Sequence, residues 1–171
     1  MTSYVALIRA VNVGGTGKLP MSELVAMCEA SGFKDVQTYI ASGNVVFRSD
    51  QPPHQIKAAL EKAMAEYAQK PVGVCVRTAE DIAKILAANP FPHAAGNRVT
   101  TLFLDEAPTQ DAISDVRHRN NEELALGVRE IYVHYPEGMA TSKLVILAAS
   151  HGTSRNMNTV AKLAKMAAAL A

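Results

Sequence analysis

From Tyr4 to Leu86 the chain alternates short apolar, β-rich runs with segments whose apolar residues recur at helical spacing, in the order strand, helix, strand, strand, helix, strand, helix. Tyr4 to Val11 reads as a buried strand, because Val5, Ala6, Leu7 and Ile8 are continuous. Behind Pro20, which a first helical turn tolerates, Met21, Leu24, Met27 and Cys28 mark a helix that stops at Gly32. The run VQTYIASGNVVFRS divides at Ser42, Gly43 and Asn44 into the arms of a hairpin, since Gly and Asn reach the positive φ of short turns. Ile56, Leu60, Met64 and Tyr67 mark a second helix, and Val72 to Val76 a further strand. Thr78, with Asp81 three residues on, caps a third helix carrying Ile82, Ile85 and Leu86.

The segment NPFPHAAGN, residues 89–97, holds two prolines and a glycine and forbids a continuing helix. Beyond it the order recurs: RVTTLFL as a strand, Thr109 to His118 as a helix, and Val128 to Tyr135 as a strand. The apolar stretch Ser142 to Ala149 follows, which periodicity leaves open between helix and strand, then Gly152 to Arg155 and a closing helix with Val160, Leu163 and Met166. IAKI at Ile82 to Ile85 and VAKL at Val160 to Leu163 occupy matching places in the two halves, a weak sign of duplication.

A strand-helix-strand-strand-helix-strand unit most simply forms an antiparallel sheet with two helices on one face, the ferredoxin-like arrangement. The expected fold is therefore α+β: two tandem ferredoxin-like units with antiparallel sheets, each followed by an extra helix. Residues 1–89 form the first, 90–97 a linker and 98–171 the second. Right-handed crossovers would place the loop after the first strand at the same sheet end as the hairpin, bringing Asn12 to Lys18 near Ser42 to Asn44.

That loop, NVGGTGK, resembles a phosphate cradle at first sight. A P-loop needs glycine where Asn12 stands and a hydroxyl residue where Leu19 stands. The spacing of Gly14, Gly15 and Gly17 also fails the dinucleotide fingerprint. Two readings stay open: a plain tight turn, or an anion-binding loop in which backbone N–H groups point outward ahead of a helix and Lys18 supplies charge.

Composition narrows the function classes. A formal charge of +1 supplies no global field for nucleic acid or membrane, although no acidic residue follows Glu137 while Lys143, Arg155, Lys162 and Lys165 do. Cys28 and Cys75 lack the spacing of a zinc site or disulfide framework, and no apolar run reaches membrane-spanning length, so a cytoplasmic protein is expected. The five histidines are scattered, so no metal site is indicated. There is no GxSxG elbow, and adjacent acids such as Asp105–Glu106 and Glu122–Glu123 point apart rather than jointly at a substrate. With 5% aromatics and no tryptophan, stacking on nucleic acid is poorly provided for.

The blocks ALIRAVNVGGTGKLPMSEL, TYIASGNVVF, NPFP, HYPEGMATSKL and TSRNMNTVAKL resemble, in order, the signature segments of the bacterial domain-of-unknown-function 1697 family, and they extend from residue 6 to residue 163. The resemblance implies a two-unit ferredoxin-like α/β protein and no particular activity or cofactor. Ala10 departs from the family's usual Gly and Met157 from its usual Trp; Met can fill the same apolar space without the indole N–H.

The candidate ligand-binding residues are Arg9, Asn12, Gly14, Gly15, Lys18, Ser42, Asn44, Arg155, Asn156 and Asn158. Arg9 reads as a ligand-facing guanidinium or a structural ion-pair member. Asn12 and Asn44 read first as turn residues, and Asn156 and Asn158 as helix caps. A cation at a helix start is disfavoured by the dipole, so Arg155 requires an external anion or an acidic side chain. Tyr135, Ser142 and Lys143 form a further polar set within a turn containing Pro136 and Gly138. The leading expectation is a binding protein for a small anionic or phosphate-bearing ligand. An enzyme acting on a nucleotide or phosphorylated metabolite, and a nucleic-acid or protein interaction module, are the alternatives.

Overall fold

The computed structural model describes residues 1–9 and 18–171, which form two four-stranded antiparallel sheets and five α-helices. The first sheet comprises β1 (Thr2–Ile8), β2 (Lys34–Thr38), β3 (Asn44–Ser49) and β4 (Val74–Thr78), in the order β2-β3-β1-β4. Helix α1 (Met21–Ala30) joins β1 to β2, and α2 (Pro53–Ala68) joins β3 to β4. Tyr4, Ala6 and Ile8 alternate along β1 with Ser3, Val5 and Leu7. The first set packs with Val45, Phe47, Val74 and Val76 against Leu24 and Cys28 of α1 and Ile56, Leu60 and Met64 of α2. The second set is buried as well, which is why the apolar run is continuous rather than alternating.

Contacts divide the chain into two compact units, Met1–Ala83 with Leu163–Ala171, and Lys84–Lys162. In the first, the closing helix α5 (Met157–Leu170) brings its buried Ala167 to β1, where the Ser3 hydroxyl donates to the Ala167 carbonyl at 2.8 Å. Helix α3 (Ala79–Ala87) opens with the expected reciprocal cap. The Asp81 N–H donates to Thr78 Oγ1 and the Thr78 N–H to Asp81 Oδ2, each at 3.0 Å.

The second sheet comprises β5 (Val99–Phe103), β6 (Glu123–Leu126), β7 (Glu130–His134) and β8 (Thr153–Asn156), in the corresponding order β6-β7-β5-β8. Here the expected elements need correction. The strand ELAL of β6 was not anticipated, because its four residues carry too short a pattern to stand out. The helix expected over Thr109 to His118 is reduced to α4 (Asp111–Ser114). Its continuation is blocked because the Arg117 backbone bonds in both directions with Val145, an isolated antiparallel bridge at 2.9 and 2.8 Å. Ser142 to Ala149 is neither a regular helix nor a strand: it supplies Val145 to that bridge and then enters a 3₁₀ turn, Leu147–His151. The second unit thus has no α-helix between β7 and β8. Leu102, Leu104, Ile131, Val133 and Tyr135 instead pack against α4, Leu144, Ile146 and Ala148. No helix among the described residues is long and apolar enough to cross a membrane.

Candidate functional site

In the first unit, β1 ends against the hairpin. Leu7 pairs with Asn44, the Ile8 N–H donates to the Gly43 carbonyl at 2.8 Å, and the Arg9 N–H to the Gly73 carbonyl at 2.9 Å. Arg9 therefore emerges between two turns, with its side chain exposed. The aliphatic stem of Arg9 runs beside Gly73, 3.8 Å from where a Cβ would project. Asn12, Gly14 and Gly15 lie outside the described residues; Lys18, immediately after them, is exposed, and Leu19 behind it is buried as an anchor for the start of α1.

The hairpin turn is internally fastened. Asn44 is fully buried and its Nδ2 donates to the Tyr39 carbonyl at 3.0 Å and to Ser42 Oγ at 2.9 Å. Its amide serves the turn, as the Asx reading anticipated. Gly43 takes φ 83°, and Ile40 takes φ 50° with 53% of its surface exposed. A β-branched residue in the left-handed region is a genuine outlier, and an exposed one gains little burial in return.

Arg155, Asn156 and Asn158 belong to the second unit. Arg155 lies on β8 rather than in the following helix, and its Nη1 donates to Thr153 Oγ1 at 2.6 Å and to the Ser154 carbonyl at 2.8 Å. Asn156 caps α5, its Oδ1 accepting from the Thr159 N–H at 2.9 Å. Asn158 is exposed in the first turn of the helix, its amide seated against Gly96 at a distance that leaves no room for a Cβ there. Met157 is buried and its sulfur accepts from the Thr101 hydroxyl at 3.1 Å.

The second unit also holds a cavity of about 300 Å³ lined by Tyr135, Ser142 and Lys143, the polar set read in the turn, together with Glu122, His118 and Asn120. In the sequence Glu122 stands only as half of an adjacent acidic pair. The two carboxylates do diverge: Glu123 is exposed and meets His134 Nδ1 at 2.9 Å, whereas Glu122 is 4% exposed. Glu122 Oε1 accepts from the Asn120 N–H at 2.7 Å and Oε2 from the Ser142 hydroxyl at 3.0 Å. These bonds, the Asn120 N–H foremost, with the Glu122 N–H and the Arg119 charge adding to them, outweigh desolvation and hold the carboxyl below the usual glutamate range. Burial pushes the Tyr135 phenol up, opposed by a hydrogen bond with Thr100 and aided by the Glu122 charge. Nothing in the local pattern around Glu122 distinguishes it from a surface acid, because its partner Ser142 lies twenty residues away.

The fold is similar to that of the conserved bacterial protein SP0830 from Streptococcus pneumoniae, with a TM-score of 0.77 and 26% sequence identity over 97% of this chain and 98% of that one. No curated protein matches the sequence. The family model described as protein of unknown function, DUF1697, matches residues 1–132, the whole first sheet and the second from β5 into β7, and the chain belongs to that family.

Proposed function

We propose that the protein binds a small anionic or phosphate-bearing ligand where β1 leaves the first sheet, on a scaffold of two tandem ferredoxin-like units. The scaffold reading is supported by the matching strand orders of the two sheets and, in the first unit, by a helix in each crossover. The binding reading rests on one observation: two exposed cations, Arg9 and Lys18, flank the glycine-rich segment in the sequence, and Arg9 directly follows β1, whose Ile8 is bonded to the hairpin at Gly43. A guanidinium offers paired donors to phosphate oxygens and an ammonium a compact charge. The strained, exposed Ile40 on the same hairpin agrees with a ligand-contacting rim. Cys28 and Cys75 are buried and outside any disulfide among the described residues, which suits a reducing cytoplasm.

Thermal unfolding of the full chain with inorganic phosphate, nucleotides and phosphorylated sugars tests the proposal. At least one compound is expected to raise the midpoint, and Lys18→Glu to abolish the rise without lowering the unliganded midpoint. A rise retained in Lys18→Glu and in Arg9→Ala removes this end of the sheet from the site. A rise produced only by oligonucleotides, falling steeply with salt, favours the nucleic-acid alternative instead.

A further inference from the structure

We propose that the cavity of the second unit binds a small aminocarboxylate, its ammonium group on Glu122 and its anionic group toward Lys143. The argument begins with an unbalanced charge. Glu122 is withdrawn from water, its carboxylate lines the cavity, and among the described residues it forms no ion pair. Arg119 acts on it through space, but the Arg119 Nε donates to the Glu122 backbone carbonyl at 2.8 Å and its side chain is exposed. Burying a carboxylate without an adjacent cation is costly, and the neutral donors, the Asn120 and Glu122 N–H groups and the Ser142 hydroxyl, meet only part of its capacity. Oε1 accepts from Asn120 and Oε2 from Ser142, with the Glu122 N–H a third donor, and a carboxylate with about four acceptor positions still has room for another.

A group with several donors and a positive charge completes this arrangement, which is the description of an ammonium. The lining also carries Glu137, which adds to its preference for an ammonium, while Lys143 suits a negative group on the same ligand, and a volume of about 300 Å³ admits a molecule the size of an amino acid. The geometry suits binding better than nucleophilic chemistry at Ser142. The Ser142 hydroxyl donates to Glu122 and accepts from the Leu144 N–H at 3.2 Å, and a carboxylate held in its ionised form is a weak base toward that hydroxyl.

Amide chemical shifts of the full-length protein at pH 7 provide the test, titrated with glycine, 4-aminobutanoate, ethylammonium chloride, sodium acetate and magnesium chloride. Saturable shifts centred on Asn120, Ser142 and Lys143 are expected with at least one aminocarboxylate, weaker ones with ethylammonium, and none with acetate or magnesium. Glu122→Gln should weaken aminocarboxylate binding at least tenfold. Lys143→Ala should weaken it while leaving ethylammonium within twofold, a separation that holds whether or not Glu122→Gln folds. The proposal is overturned if no amine gives a saturable shift or if magnesium alone does. It is equally overturned if a folded Glu122→Gln binds within twofold of the parent, or if Lys143→Ala alters both amine classes alike.

Discussion

Two residues show how differently backbone and space constrain a position. Gly152 precedes β8 with extended dihedrals that any residue adopts, yet a Cβ there would stand 2.4 Å from the Phe103 carbonyl oxygen and 2.8 Å from Leu104 Cδ2. Backbone on one side cannot swing away as a side chain can, so Gly152→Ala must displace the β5–β8 edge. A loss of about 2 kcal/mol is expected in urea unfolding, by the cost of overpacking a filled site. A variant of unchanged midpoint would mean that this edge yields freely. Ile40 is the opposite case, with open space and an unfavourable φ of 50°. Ile40→Gly relieves the left-handed strain and is expected to stabilise the protein by about 1 kcal/mol. If the hairpin contacts the ligand, the same variant should bind more weakly while melting higher, a trade between stability and function that a passive turn would not show.

At the scale of elements, α3 ends in the second unit with a carbonyl that a side chain must satisfy. The Tyr132 hydroxyl of β7 donates to the Ile85 carbonyl at 2.7 Å, taking one of the acceptors that a helix C-terminus leaves open. Burial, with the Glu130 charge adding to it, pushes the Tyr132 phenol up to about 12. The protonated form is thus favoured in the folded state, and the stability it carries is complete below the unfolded tyrosine range. That stability is lost as pH rises through the interval toward 12. Tyr132→Phe is expected to cost roughly 1 kcal/mol at neutral pH and to flatten the alkaline decline in stability, measured by denaturation between pH 9 and 12. An unaltered decline would place the alkaline sensitivity elsewhere. The elements most legible in the sequence were those whose patterns are local. β1, α1, the hairpin, α2 and the Thr78–Asp81 cap each announce themselves through period, proline or turn chemistry. The second sheet was harder because its pieces are short and its closing segment is fixed by the Arg117–Val145 bridge, a contact between residues far apart in the chain. For the same reason Tyr135, Ser142 and Lys143 could be read as a polar set, whereas Glu122, brought to them only by folding, could not.

For the whole molecule, the helical period of the final segment identifies a helix but not the layer it covers. Its last turns count with the first unit, although nearly the entire chain separates them from β1. Leu163 and Ala167 are buried there, and Ser3, itself 4% exposed, finds its acceptor only in the Ala167 carbonyl end of that contact. On the same face of β1 as Ser3, Val5 and Leu7 are fully buried. A chain ending at Lys162 should therefore lose far more than the fraying of a terminal helix. Burial of one Leu-sized side chain contributes about 2 kcal/mol, so losing the buried Leu163 and Ala167 together with the acceptor of Ser3 removes a sizeable part of a total domain stability of roughly 5–15 kcal/mol. The truncated chain is expected to bind a hydrophobic dye and to melt without a sharp transition. The substitution Ser3→Ala, which removes only the buried hydrogen bond, should retain the transition with a loss of about 1 kcal/mol. A truncated chain that unfolds as sharply and as late as the full one would mean that Leu163, Ala167 and the Ser3 hydrogen bond contribute little to the first unit.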